Sequence, residues 1–271
     1  MRGALRHVSL ASAAGRLPGG RHLQRLQRER GEGPARALRA LSDVPETLKP
    51  QAAPGTWECA LQQLPPAGRV LSAGAGRGGL SWLLHQAGYE VVSIDLHPEH
   101  FVADGLRCDF AELTAPLPFE GETFDAVLAV EVAEHLENPW SFLREGLRVL
   151  RPHGKLVFTS PNVGNLASRL LFLRSGVFPY FREESFVGCY HVTPVFHWSV
   201  ERWTRTTSSR LRAVTYTRVD WPTPPDVPKF HGGLLRIAKN LVPLNALTGE
   251  IACYTIERCG QPSVAVGTHY A

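Results

Sequence analysis

Three stretches of this sequence combine residue types and spacings that could do chemistry. The first is Glu131-Val132-Ala133-Glu134-His135. If the chain turns helical there, two carboxylates and an imidazole share one face through i, i+3 and i+4 spacing. An imidazole titrates near neutral pH, so His135 suits the removal of a proton from an acceptor group. The same trio could hold a divalent ion, which would lower the pKa of a hydroxyl bound to it. The plain alternative is a loop whose acids hydrogen-bond nearby backbone. Glu131, Glu134 and His135 are the expected catalytic residues, and no metal is assigned.

The second stretch is Gly74-Ala75-Gly76-Arg77-Gly78-Gly79, which follows the short apolar run Arg69 to Ala73. A strand that turns straight into a helix presents unpaired backbone N–H groups at the helix start. Glycines there let a ligand come close to the backbone. The alternative is a tight turn with no ligand. The third feature is Asp95, at the end of a second apolar run and about twenty residues past the first glycine. A carboxylate there can accept from both ribose hydroxyls of an adenine nucleoside; otherwise it caps a helix. Gly74, Gly76 and Gly79 also satisfy G-x-G-x-x-G, so these features alone suit NAD as well as S-adenosylmethionine (SAM).

These segments need elements to position them. The helix after the glycines has Leu80, Leu83, Leu84 and Ala87 at helical spacing and stops at Gly88. Strands are expected at Glu90 to Asp95, near Cys108-Asp109, and from Phe124 to Val130. Asn138-Pro139 reads as an N-cap with proline in the first turn. The helix it opens has the stripe Trp140, Leu143, Leu147 and Leu150, and Pro152-His153-Gly154 breaks it. Lys155 to Thr159 is a fifth strand. Ala213 to Trp221 and Ile251 to Glu257 are two more, flanking a helix near Leu234 to Leu241. Seven strands alternating with helices predict an α/β fold of the Rossmann-like kind, with a mostly parallel sheet covered on both faces.

Composition sets the limits. The chain of 271 residues is 44% hydrophobic and 20% charged, an ordinary globular balance, and its formal charge is +4. Much of that charge sits in the first forty residues. Residues 1–56 read as a basic leader, partly disordered or with short helices, and 57–271 as the main domain. Residues 1–28 lack acids, which suits a mitochondrial presequence as well as a poorly ordered tail. The five cysteines are scattered with no C-x-x-C pair, pointing to a reducing, cytoplasmic setting. No apolar run is long enough to span a bilayer. Residues 163–210 form a cap on the acceptor side. There Val163, Leu166, Ala167, Leu170 and Leu171 fit a helix that packs its apolar face on the domain, while Phe172, Phe178, Tyr180, Phe181 and Phe186 after it could instead make a lid whose aromatics line an acceptor pocket. Lys229, Arg236 and Lys239 accompany the helix near Leu234, which could touch a membrane surface or an anionic acceptor.

Four stretches decide between the cofactors. VLSAGAGRGGLSWLL, VVSIDLHPE, CDFAELTAPLPFEGETFDAVLAVEVAEHLENP and LREGLRVLRPHGKLVFTSPN follow one another over residues 69–162. In this order and spacing the chain resembles the class I SAM-dependent methyltransferase family. Its E-x-x-E-H and T/S-P-N motifs are similar to those of quinone-pathway O-methyltransferases, small-RNA 2′-O-methyltransferases and bacterial small-molecule or glycan enzymes.

The resemblance implies that Gly74, Ala75, Gly76 and Gly78 line the methionine part of SAM. It places Asp95 on the ribose and Leu96 against the adenine. Asp109 would accept from the adenine amino group, with Phe110 beside it, and Val130 and Glu131 would face the sulfonium. Ser72 stands where the family usually has an acid that helps hold the amino-acid end of SAM. The small-RNA enzymes further imply a fourth metal ligand at His191 or His197, although the surrounding residues match only loosely.

The expected activity is methyl transfer from SAM, with O-methylation of a small-molecule, lipid-linked or glycan acceptor favoured. A metal-dependent RNA 2′-O-methyltransferase is the alternative, disfavoured by the lack of a basic patch in the body of the chain. A non-catalytic SAM-binding or scaffold protein is a further alternative, prompted by Ser72.

Overall fold

The apolar runs of the sequence form one seven-stranded sheet. The computed structural model describes residues 32–49, 52–217 and 247–260. The strands are β1 (Arg69–Ala73), β2 (Glu90–Asp95), β3 (Cys108–Phe110), β4 (Phe124–Ala129), β5 (Leu150–Pro161), β6 (Ser209–Tyr216) and β7 (Ile251–Arg258). Their order across the sheet is β3-β2-β1-β4-β5-β7-β6. Strands β1 to β5 pair in parallel, and β7 runs antiparallel to both β5 and β6.

Successive residues of a strand point to opposite faces. Both faces here are covered, which is why the central strands read as continuous apolar runs. Leu71, Val127, Phe158 and Tyr254 enter one core, with Phe142 and Leu143. Val70, Ala126, Val157 and Cys253 enter the other, with Leu61, Leu83 and Leu84. Leu71 and Leu83 are completely buried, and truncating such a leucine to alanine costs about 2–5 kcal/mol.

Helix α1 (Gly33–Arg39) and α2 (Thr56–Leu61) lie on the second face with α3 (Gly79–Gln86). Ala37, Val44 and Leu48 are buried there, and the Gly33 N–H donates to Pro66 O at 3.0 Å. Residues 32–49, expected to belong to a leader, are therefore part of the packed unit. Residues 1–31, the helix expected near Leu234 to Leu241 with its three basic residues, and the end of the predicted sixth strand lie outside the described residues.

Helix α4 (Pro139–Val149) starts as its sequence implies, with the Asn138 side chain accepting from Ser141 N. Its buried face is Phe142, Leu143, Gly146, Leu147 and Val149, while Trp140 is only partly buried and Leu150 belongs to β5. Pro152-His153-Gly154 does not end an element. Leu150 already pairs with Phe124, and a register shift follows before Lys155 meets Ala126. His153 takes φ +65° within this irregularity. The fifth strand is thus longer than Lys155 to Thr159.

The cap comprises α5 (Leu166–Ser175) and α6 (Glu183–Cys189), followed by α7 (His197–Arg205). The expectation that α5 packs its apolar face on the domain is corrected. Only Ser168 and Leu171 are buried, while Leu166, Leu170, Phe172 and Leu173 are exposed. The helix is fixed at its start instead, by the Asn165 cap on Ser168 N and by Leu166 N donating to Leu247 O. All five cysteines are free thiols. Among the described residues, no helix is long and apolar enough to cross a membrane.

Candidate functional site: a glycine cradle beside a polar cluster

The carboxyl ends of β1, β2 and β4 form one rim. At that rim Gly74 N and Ala75 N both donate to Ile94 O, at 2.9 and 3.1 Å. Gly76 N donates to Asp95 Oδ2 at 2.8 Å, and Asp95 Oδ1 accepts from His97 N at 2.8 Å. Asp95 therefore ties the glycine loop to the tip of β2 while also capping the turn that follows. Of the two roles weighed from the sequence, the cap is seen here, on the turn at His97.

Two glycines show why the loop has this composition. Gly74 has φ +69°, and a Cβ there would lie 2.4 Å from Val132 Cγ2. Gly76 has φ +53°, and a Cβ would meet nothing within 4 Å. The loop is thus pressed against the β4 side at Gly74 and open on its outer side at Gly76. Leu96 and Phe110 flank it as exposed apolar side chains, and Asp109 is exposed at the tip of β3. Phe110 is the register partner of Asp95. A carboxylate at the tip of β2, with Leu96 and Phe110 exposed beside it, is a donor set that suits the adenosyl part of SAM. Ser72 is buried within β1 and offers no carboxylate to the cradle. Val130 lies just past β4 and is half-buried.

The second half of the site begins at Glu131. This residue takes φ +57°, a left-handed backbone that costs a non-glycine residue about 1–3 kcal/mol. The Thr159 hydroxyl of β5 holds it in place, accepting Glu131 N–H at 2.8 Å. No regular α-helix follows; Ala133–His135 is one short 3₁₀ turn. The expected shared helical face is therefore replaced by a tight turn. Glu134 is completely buried and neither carboxylate oxygen has a hydrogen-bond partner. One oxygen of Glu131 is likewise buried and unpartnered. Burial, opposed by the Thr159 hydroxyl, pushes Glu131 up to about 7. Burial and the neighbouring Glu131 charge push Glu134 well above the carboxylate range.

Backbone bonds from the cap reach this turn. Val192 N and Thr193 N donate to Glu134 O at 2.9 and 3.1 Å. They bring in His191, whose ring meets that of His135 edge-on with centroids 4.8 Å apart. Ligand atoms of Glu134, His135 and His191 all lie within 4.8 Å of one another. His191 Nδ1 is 2.8 Å from Tyr180 O. A carbonyl only accepts, so Nδ1 carries the proton and Nε2 of the neutral ring keeps a lone pair. Burial lowers the pKa of His191; burial and the His191 charge lower that of His135. Both rings are therefore neutral at pH 7. His197 does not join them: it opens α7 and stacks on Tyr254.

Sequence reasoning missed Thr159 and Glu250, and gave Tyr180 and Asn162 no partners. Asn162 ends the T/S-P-N motif, and its Nδ2 donates to Gly249 O at 2.9 Å while its backbone N–H donates to Glu250 O at 2.6 Å. Asn165 Nδ2 donates to the same Gly249 O at 3.2 Å. The loop after β5 thus grips the residues that precede β7. The Tyr180 hydroxyl donates to Glu250 Oε1. The motif was visible in the sequence, but its partner more than eighty positions away was not.

The strand order, the glycine cradle and the Asp95 contact define a class I SAM-dependent methyltransferase fold. Residues 71–158 match the family described as "Methyltransferase domain".

A ubiquinone biosynthesis O-methyltransferase of Xanthomonas axonopodis pv. citri is 33% identical over 141 residues, covering 48% of this chain and 54% of the relative. The enzyme of the same name from Azorhizobium caulinodans is 37% identical over 102 residues, covering 35% and 40%. The chain thus spans about half, or less, of the curated relatives it matches. A SAM-dependent methyltransferase from Thermotoga maritima shares the fold at TM-score 0.50 and 13% identity, covering 89% of this chain and 96% of the other. One from Methanosarcina mazei does so at TM-score 0.50 and 14% identity, covering 74% and 96%.

Proposed function

We propose that this protein moves a methyl group from SAM to a hydroxyl of a small-molecule, lipid-linked or glycan acceptor. The observation that carries the reading is the Gly76–Asp95 contact at the rim of the sheet, next to a buried polar cluster made by Glu134, His135 and His191. The relatives named as O-methyltransferases support the choice of acceptor atom.

When bound, SAM supplies a methyl group already activated by a positive sulfonium. The protein has to align an acceptor and remove its proton. Gly74, Ala75, Gly76 and Gly78, with Ser72 beneath them, line the methionine part in this reading. Asp95 takes the ribose hydroxyls, Leu96 and Phe110 pack on the adenine, and Asp109 accepts from its amino group. Val130 and Glu131 stand on the sulfonium side. The lowered pKa of His135 keeps it as free base at pH 7, able to accept the hydroxyl proton.

Methyl-labelled SAM incubated with fractionated extract tests the reading, because one fraction should gain label on oxygen. His135→Ala should then lower the rate by about 10²–10⁴-fold, the usual share of a general base. Calorimetry that finds no heat on SAM addition would overturn the proposal at its base.

A second reading is favoured by the convergence of Glu134, His135 and His191. Two unpartnered buried carboxylate oxygens and an imidazole with a fixed lone pair suit a divalent ion. Such an ion would lower the pKa of an acceptor hydroxyl, and His135 would then be a ligand in place of a base. Titration with Mg²⁺, Mn²⁺ and Zn²⁺ separates the two. Saturable binding that His191→Ala removes supports the ion; full transfer activity in a chelator excludes it.

A further inference from the structure

We propose that Glu250 is an acceptor-binding carboxylate. The Tyr180 phenol holds one of its oxygens, and the other is left to take a hydrogen bond from an O–H of the methyl acceptor. This rests on the methyltransferase reading above and adds a residue to its acceptor side.

Placement is the first argument. Because β7 is antiparallel to β5, its first residue Ile251 pairs with Pro161, the last residue of β5. Glu250 therefore stands on the rim where the parallel strands end, the edge at which open α/β sheets bind ligands. Its backbone is fixed there on both sides. Its carbonyl accepts from Asn162 N, its N–H donates to Thr217 O at 3.2 Å, and Asn162 and Asn165 both grip Gly249 O.

The second argument is an incomplete set of partners. Glu250 Oε1 accepts from the Tyr180 hydroxyl, but Oε2 is buried with no partner. A buried carboxylate oxygen without a hydrogen bond is costly, and such atoms are rare unless water, an ion or a ligand completes them. Glu250 is also not isolated. Tyr180 accepts from His191 through its carbonyl, so the same residue touches Glu250 with one end and the polar cluster with the other. In that cluster Glu134 is completely buried and both its oxygens also lack partners. Two separate acids on the same side of the site thus have oxygens without partners.

The third argument is chemical. Within this structure the group that Glu250 already holds is a phenol. The acid is thereby shown to suit a neutral O–H donor, and its remaining oxygen can take a second one. Burial and the Glu131 charge push Glu250 up to about 7, so a good share of it is ionised at neutral pH and accepts strongly.

The test uses 4-fluorophenol and 4-fluoroanisole, which differ in the O–H donor, titrated against the full chain by ¹⁹F NMR. A chelator is present so that no metal ion contributes. The wild type should bind the phenol at least about tenfold more tightly than the ether, as one charge-assisted hydrogen bond gives. Glu250→Ala should narrow the gap to about twofold, Glu250→Gln should leave an intermediate gap, and Tyr180→Phe should keep it. Equal affinity in the wild type, including no binding of either probe, overturns the proposal. So does a gap unchanged in Glu250→Ala. Should that variant fail to fold, an unchanged gap in the near-isosteric Glu250→Gln overturns it equally. Binding of S-adenosylhomocysteine, measured by calorimetry, should be the same in the wild type and Glu250→Gln. Its absence from the wild type would strike the methyltransferase reading, while the ¹⁹F titration still reports on Glu250.

Discussion

Replacing Asp95 by asparagine probes the cradle most directly. The carboxylate accepts two backbone N–H groups, Gly76 and His97, each at 2.8 Å. An asparagine keeps one accepting oxygen and turns an NH₂ toward the other amide, so one charge-assisted bond is lost and two donors face each other. A hydrogen bond to a charged group contributes about 1.5–3 kcal/mol, and partial exposure favours the lower end. The glycine loop would then be held less firmly. At about 1.4 kcal/mol per tenfold, loop ordering alone predicts S-adenosylhomocysteine binding weaker by about tenfold. Loss of a ribose contact would bring the total to roughly a hundredfold. Calorimetry measures this, with the melting temperature as a control for folding. A folded Asp95→Asn protein that binds within about twofold of wild type would refute the cradle, because one lost charged bond cannot be that silent.

Three other outcomes follow from the geometry. Gly74→Ala places a Cβ 2.4 Å from Val132 Cγ2 at φ +69°; it should destabilise the protein by about 1–3 kcal/mol in a denaturant titration, as strain of this kind does. Asn162→Ala removes the Nδ2 bond to Gly249 O and the Oδ1 acceptor of Gly164 N; about 2 kcal/mol of stability should be lost, with an unchanged midpoint counting against the clamp. Glu250 has a raised folded-state pKa, caused by burial first and the Glu131 charge second. Its contribution to stability is therefore fully present below the ordinary carboxylate range and is lost as pH rises through about 7. Glu250→Gln should shrink the fall in melting temperature between about pH 5 and 8, and an identical fall would contradict that assignment.

Local pattern and distant contact were unequally legible in the sequence. The glycine loop, Asp95 and the Asn138-Pro139 helix start could be read because each is a short-range device: a turn, a strand tip, a cap. The strands could be read because both faces of the sheet are buried. Helix α5 was misjudged because apolar spacing implies a buried face only when something covers it, and Leu166, Leu170 and Leu173 are uncovered. The Glu131 to His135 turn has the right residues, but its conformation depends on the Thr159 hydroxyl from another strand. The choice of His191 over His197 depends on two backbone bonds to Glu134 O. Glu250 left no trace at all, since one acid before an apolar run carries no spacing and its partners Tyr180 and Asn162 are 70 and 88 positions away.

The reversed direction of β7 divides the labour of the molecule. The glycine loop is assembled from β1, β2 and β4, strands that lie side by side in the parallel part of the sheet. The opposite end depends on an element that enters the rim head first and so contributes its opening residues there. On the proposal above, substitutions just ahead of Ile251 should alter acceptor binding and leave the Gly76–Asp95 contact as it is.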